Sequence, residues 1–293
     1  MAHGRVIVVG NEKGGAGKST IAMHLACSLL QAGARVTTLD LDLRQQSMGR
    51  FLANRRAWAA ANGADLPMPA EDWLGEDSKG VARIKLDELA PRVSDALARA
   101  REGADFVIVD TPGADTPTSR AAHAKADQIV TPLNDSFVDF DMLGHVDPVT
   151  LDLTKPSLYA EAVWEARKLR MVHDRASVDW LVLRNRLATT EARNRKRLDE
   201  RVEALSRRVG FRIGPGLRDR VIYRELFPFG LTVADLSPSV RPVAVSLSHV
   251  AARQEMRAIL TALGLEAYAA APRGAAAAPA EAEGEAEPEA EAA

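Results

Sequence analysis

Val6-Ile7-Val8-Val9-Gly10-Asn11-Glu12-Lys13-Gly14-Gly15-Ala16-Gly17-Lys18-Ser19-Thr20 is the stretch that decides the fold. Four apolar residues run straight into a glycine-rich segment. Behind it Ile21, Leu25, Leu29 and Leu30 recur at helical spacing from Ser19 to Gln31, and Gly33 marks the stop. In a strand–loop–helix of this kind the glycines let backbone amides turn inward as an anion nest, and the helix N-terminus adds partial positive charge. The common phosphate-loop pattern GxxxxGK[ST] would need glycine at position 12, which is Glu12; Lys13 to Thr20 match the variant KGGxGK[ST] instead. Lys18 is then placed to reach β- and γ-phosphates, the Ser19 hydroxyl to ligate Mg²⁺, and Thr20 to touch the α-phosphate. A glycine-rich turn before a helix can also be purely structural. The preceding strand, the following helix and the two lysines together favour a nucleotide site, with ATP and Mg as cofactors, formed by Lys13, Gly14, Gly15, Ala16, Gly17, Lys18, Ser19 and Thr20.

Further apolar runs repeat the theme. Val36 to Leu39 leads into Asp40-Leu41-Asp42, and Phe106 to Val109 into Asp110-Thr111-Pro112-Gly113. Gln128 to Leu133 and Trp180 to Leu183 follow, the latter ending in Arg184-Asn185-Arg186. Runs this continuous predict strands buried on both faces. Leu86 to Arg101 and Glu191 to Arg208 read as helices between them. The alternation predicts an α/β fold: a doubly wound, mostly parallel sheet flanked by helices, with ligands outside the carboxyl ends of the strands. Residues 1–270 are expected to form one such domain. Asn62 to Gly80, rich in Gly, Pro, Asp and Glu, reads as a surface excursion. Residues 271–293 are Ala/Glu/Pro low complexity and are expected to be a disordered tail.

Both acidic turns fall at strand ends, beside the glycine loop. Two carboxylates at i and i+2 of an extended segment point the same way, which would aim Asp40 and Asp42 together at the crevice. Asp110 behind its apolar run occupies the position that holds Mg²⁺ directly or through water. Gly113 could swing its amide toward a γ-phosphate. A strand-end Asp can equally be a turn former, an alternative that stays open for Asp40 above all.

The bulk numbers narrow the class. A single cysteine, Cys27, allows no intrachain disulfide and no multi-thiolate metal site, and its place in the first helical pattern reads as core. The opening MAHGRVIVVG lacks the charged-then-apolar pattern of a leader, and no run approaches the ~20 apolar residues of a membrane span. A cytoplasmic protein is the expectation. The formal net charge of −2 hides an uneven distribution: residues 274–293 hold 6 Glu and no basic residue, leaving 38 basic against 34 acidic side chains elsewhere.

From Arg184 to Arg224 there are 13 Lys/Arg against 5 Asp/Glu. On a helix at about 100° per residue, Arg193, Arg197, Arg201 and Arg208 fall within about 80° of one another, beside a stripe of Leu198, Val202, Leu205 and Val209. Arg218, Arg220 and Arg224 follow soon after. Such a run can be no more than a solvated face. The sorting of the arginines favours a polyanion surface, and Arg193, Arg197, Arg201, Arg208, Arg218 and Arg220 are the candidate DNA contacts. The scarcity of aromatics there argues for duplex rather than single strands.

The KGGxGK[ST] loop with its first lysine resembles that of the ParA/MinD superfamily of deviant-Walker ATPases, over roughly residues 4 to 268. The resemblance implies a slow ATPase that works as a monomer–dimer switch. In it Lys13 would cross the dimer interface to the partner's nucleotide, Asp42 would position the attacking water, and Asp40 would support the Mg²⁺ shell. Asn185 would read the adenine edge. Asp42, Lys13 and Lys18 form the implied catalytic set. Asn134 to Gly144, Arg184 to Arg197 and Tyr223 to Gly230 are similar to a division-site-regulating branch of that superfamily. That likeness implies a nucleoid-associated homodimer, recruited by a ParB-like partition protein, that inhibits FtsZ polymerisation. Members that lie on membranes end in a basic amphipathic helix, whereas this chain ends in a Glu/Ala-rich stretch that includes Glu-Ala-Glu-Pro, so no membrane anchor is expected. A ParA-type partition ATPase and, from another class, a ligase resembling dethiobiotin synthetase are the alternative readings.

Overall fold

The structure is a computed structural model of the 293-residue chain and describes residues 3–72, 86–134, 136–147, 153–187, 192–237, 240 and 246–270. Strands β1 (Arg5–Val9), β2 (Val36–Asp40), β3 (Ala70–Asp72), β4 (Phe106–Asp110), β5 (Gln128–Asn134), β8 (Asp179–Asn185) and β9 (Arg212–Ile213) form one sheet in the order β3-β2-β4-β1-β5-β8-β9, every pair parallel. A separate antiparallel pair joins β6 (Gly144–Val146) to β7 (Leu153–Pro156).

Burial on both faces is visible residue by residue. Ile7, Val9, Ile108, Val130, Leu181 and Leu183 point to one side, beneath α1 (Lys18–Gln31), α2 (Ser47–Asn62) and the later helix α7 (Leu247–Ala262). Val6, Val8, Val107, Val109, Ile129, Trp180 and Val182 point to the other. There they meet Leu89, Val93 and Leu97 of α3 (Leu86–Arg101), Ala122 of α4 (Pro117–Lys125), Tyr159 and Val163 of α5 (Leu158–Asp174), and Leu198 and Val202 of α6 (Ala192–Leu205). The period-two pleat therefore divides one continuous apolar strand between two cores.

The strand order reverses direction around β1. From β1 the chain runs out to β2 and β3 on one side and returns to β4 beside β1, then passes through β5, β8 and β9 on the other. The crevice beyond the carboxyl end of β1 is thus the topological switch point, where ligands of such sheets collect.

Two expectations need correction. Part of the surface excursion expected over 62–80 is ordered sheet edge: Ala70–Asp72 pairs with Thr37 to Leu39. Residues 73–80, like the tail at 271–293, lie outside the described residues. The helix expected to run from Glu191 to Arg208 is α-helical only to Leu205, and Ser206–Gly210 winds as a wider π turn. Each residue of that turn advances less around the axis, so Arg208 leaves the azimuth an ideal helix assigns it.

Candidate functional site

A cleft of about 880 Å³ opens at the switch point, lined by Gly14, Gly15, Gly17, Lys18, Ser19 and Thr20 on one wall. Asp42 to Gln45, Thr111 to Ala114 and Arg186 form the others. Its size suits a small-molecule ligand.

The loop is held from behind. Asn11, sealed from solvent, donates through Nδ2 to the Pro132 carbonyl (2.6 Å) while its Oδ1 accepts the Lys13 amide (2.7 Å). Gly15 and Gly17 take φ of 76° and 93°, the left-handed region that the turn requires. At Gly17 the need is double, because an added Cβ would stand 2.2 Å from Asn185 Nδ2. That amide nitrogen donates to the Ala16 carbonyl at 2.8 Å, and Asn185 Oδ1 accepts the Arg186 amide. Each end of Asn185 thus makes one backbone bond and keeps one further donor or acceptor position. Helix α1 begins at Lys18 with no side-chain cap, which leaves its first amides facing the cleft.

Lys18 is buried and donates to the Lys13 carbonyl at 2.9 Å. Burial lowers its pKa, and Asp110 and Asp42 pull it back up. Lys13 behaves differently. It is absent from the lining of the cleft, and its ammonium is paired with the carboxylate of Asp139 in the turn after β5. That carboxylate also accepts the Asn134 amide.

Asp40 and Asp110 are register partners at the ends of β2 and β4. The sequence expectation that Asp40 and Asp42 aim together does not hold, because β2 ends at Asp40. The Asp40 carboxylate turns back to accept the amides of Asp42, Met48 and Gly49, tying the first acidic turn to α2. Burial raises its pKa to about 6 against the pull of those amides. Asp42 instead lines the cleft, with Oδ1 bound to the Gln45 amide at 3.0 Å. Asp110 is fully buried and neither of its oxygens has a hydrogen-bond partner. Burial first, then Asp40, drive its pKa well up, opposed by the nearby Ser19 hydroxyl and Lys18. An unsatisfied carboxylate of this kind, beside a serine hydroxyl and a phosphate loop, fits a divalent cation whose remaining oxygens come from phosphate and water.

Gly113 lies flat on the loop: an added Cβ would meet Gly14 N and Cα at 3.0 Å. The second acidic turn is thus packed directly against the glycine loop. Thr116 caps α4 through the Ser119 amide, so this turn passes directly into a helix.

A family model described as ATPase MipZ matches residues 5–267. The chain belongs to the MipZ family of ATPases. The chromosome partitioning protein ParA of Myxococcus xanthus (strain DK1622) is 28% identical over 195 residues, spanning 60% of this chain and 68% of its own. Among solved structures, the ATP complex of a single-residue variant of Cyanothece McdA superposes with a TM-score of 0.59 at 21% identity, covering 90% of this chain and 98% of that one. The Pyrococcus furiosus cell division ATPase MinD gives 0.53 at 17%, covering 88% and 99%. These likenesses show the shared fold of this MipZ-family chain.

The candidate DNA contacts are dispersed in state. Arg201 pairs with Asp141, and Arg220 is clasped by Glu255 at 2.6 Å, each half-buried. Arg208 and Arg218 are exposed. Arg193 and Arg197 lie on α6, and their side chains are outside the described residues. Among the described residues no helix is long and apolar enough to cross a membrane. Cys27 is buried, and its thiol pKa is pushed up to about 12.

Three site residues carry no sequence signal of their own: Asn11, Asp139 and Arg186. Arg186 lines the cleft in a left-handed conformation, with φ 54°.

Proposed function

We propose that this MipZ-family chain is an ATP-driven monomer–dimer switch that binds duplex DNA as a dimer and places the division site by inhibiting FtsZ polymerisation. The observation that carries the switch is the split between the two lysines. Lys18 sits in its own cleft, whereas Lys13 points away from it onto Asp139. A cation that does not serve its own nucleotide is available to serve a partner's, once Asp139 releases it.

In this reading the amides of Gly14 to Thr20 and Lys18 hold the phosphates. Ser19 and Asp110 would hold Mg²⁺, with Asp40 behind them, and the ion when bound screens the phosphate charge. Asp42, the one acidic-turn carboxylate in the cleft, is the group placed to orient an attacking water. Gly113, already against the loop, would carry the arrival of a γ-phosphate into α4. Asn185, bound to the Ala16 carbonyl next to the cleft-lining Arg186, would read the adenine edge with the donor and acceptor positions its backbone bonds leave open. The exposed Arg208 and Arg218, with Arg193 and Arg197 on α6, supply a sequence-independent phosphate surface that dimerisation doubles. Division-site placement and recruitment by a ParB-like protein come from family membership, since fold alone does not fix cargo.

The likeness to the Myxococcus ParA favours a second reading, chromosome partition by the same switch with a different cargo. Co-sedimentation of FtsZ polymers separates the two. The Asp42→Ala variant with ATP should remove FtsZ from the pellet more completely than wild type. FtsZ that pellets unchanged with either protein, under conditions where both bind ATP, would point to partition.

A further inference from the structure

Behind the phosphate loop lies a chain of buried polar side chains. Trp180 Nε1 on β8 donates to Thr131 Oγ1 on β5 at 2.9 Å. Thr131 Oγ1 lies 2.9 Å from Tyr159 Oη on α5, and Tyr159 Oη donates to the Gly10 carbonyl at 2.8 Å. All four residues are sealed from solvent.

Donor counting fixes the direction of every bond. A carbonyl can only accept, so the tyrosine proton is on Gly10. Indole N–H can only donate, so Thr131 accepts from Trp180 and its own proton goes to Tyr159. The relay thus runs Trp180 to Thr131 to Tyr159 to Gly10, with each hydroxyl accepting one bond and giving one. Such chains polarise in one sense and strengthen along their length.

Its end point is the first residue after β1. The Gly10 amide is already bound to the Val130 carbonyl at 3.0 Å, so the relay closes the other half of that peptide pair. Gly10 is also walled in: an added Cβ would stand 2.5 Å from His123 Nε2 and 3.2 Å from Tyr159 Oη. His123 belongs to α4, the helix that the second acidic turn enters. Its Nδ1 faces the Ser119 carbonyl at 2.6 Å, which makes Nδ1 the protonated nitrogen of a neutral ring. Nε2 then carries no proton and, 3.3 Å from Tyr159 Oη, is a second and longer acceptor competing with the Gly10 carbonyl for the tyrosine proton.

We propose that Tyr159 is a positioning residue for nucleotide binding: it sets the angle at which the chain leaves β1 and so the direction of the loop amides at Gly14 to Lys18. Thr131 and Trp180 hold its hydroxyl in the donating orientation. His123 makes the same hydroxyl the point where α4 touches the root of the loop. Movement of the second acidic turn on γ-phosphate binding would be felt at Gly10 through this contact. The inference rests on the reading of the loop as a nucleotide site.

Thr131 gives the cleanest test, because its two conservative variants separate bonding from packing. Thr131→Val keeps the shape and breaks the relay; Thr131→Ser keeps the relay and loses a methyl. ATP affinity is read by titration with a fluorescent ATP analogue, alongside steady-state turnover. Tyr159→Phe leaves the buried Gly10 carbonyl unpaired, and Thr131→Val frees the tyrosine hydroxyl to turn from Gly10 toward His123 Nε2; each should weaken ATP binding about five- to tenfold. KM should rise while kcat stays near wild type, as expected when binding is lost uniformly. Thr131→Ser should bind within about twofold of wild type, even though losing a buried methyl lowers its thermal stability. Wild-type affinity in both Thr131→Val and Tyr159→Phe would overturn the proposal. So would an equal loss in Thr131→Ser and Thr131→Val, which marks a packing effect. Wild-type protein that binds no nucleotide would instead refute the nucleotide reading itself.

Discussion

His24 shows what a single residue in the first helix costs and where. It is buried in α1, its Nδ1 lies 2.8 Å from the Thr20 carbonyl, and its Nε2 has no partner. Burial depresses its pKa from 6.5 to about 4. The unfolded chain therefore takes up this proton first as pH falls, so the stability that His24 contributes is present above pH 6.5 and drains away toward pH 4. Asp40 acts in the opposite sense over the same range, because its folded pKa is raised to about 6 and acid relieves it. A comparison with His24→Asn isolates the first effect, since Asp40 is common to both chains. Between pH 7 and pH 4, wild type should lose about 3 kcal/mol of unfolding free energy relative to the variant. Chemical denaturation at the two pH values measures this, and a gap independent of pH would contradict it. At this scale the sequence is legible where chemistry is local. Lys18, Ser19 and Asp110 announce themselves by spacing within one loop or at one strand end. Asn11, Asp139 and Tyr159 do not, because their partners lie 121, 126 and 149 positions away along the chain. No local pattern encodes a contact that only the sheet order creates.

Elements decide how the site can change state. The loop, the turn after β2 and the turn after β4 are each tied to a different helix: α1 directly, α2 through Asp40, and α4 through Thr116. Helix α2 is in turn anchored by the buried pair Arg55–Asp235, whose two nitrogen–oxygen contacts are 2.8 and 2.7 Å, and by Arg55 on the carbonyls of Pro67 and Gly230. A first acidic turn fastened this firmly favours small displacements over refolding. The Lys13–Asp139 pair is the exception, being exposed on the lysine side and joining the loop to the turn after β5. Asp139→Asn removes the charge that holds Lys13 while keeping an acceptor for the Asn134 amide. It should shift ATP-dependent dimerisation to a protein concentration about threefold to tenfold lower, the size of a modest ion pair released. Sedimentation velocity across a dilution series checks this, and an unmoved or weakened dimer would count against the latch. Strands and the first helix are readable from runs and periodicity. The π turn at Ser206–Gly210 and the edge strand Ala70–Asp72 are not, since one is a local insertion into a good helical pattern and the other is fixed by pairing with β2.

For the molecule as a whole, charge placement matters more than net charge. Ion pairs to Asp141 and Glu255 neutralise Arg201 and Arg220, and leave the exposed Arg218 as the better phosphate ligand. Arg218→Ala should reduce the slope of log affinity for duplex DNA against log salt by about 1. Fluorescence anisotropy with a labelled duplex in the ATP state gives that slope, and an unchanged value would mark the arginine as a solvated surface group. If Lys13 completes a partner's nucleotide site, the assembly state with ATP must depend on it. With ATP, Asp42→Ala should sediment as a dimer, because nucleotide is held and not turned over, whereas Asp42→Ala combined with Lys13→Ala should bind ATP yet remain a monomer. A dimer of the double variant, or a monomer of Asp42→Ala at saturating ATP, would contradict the account.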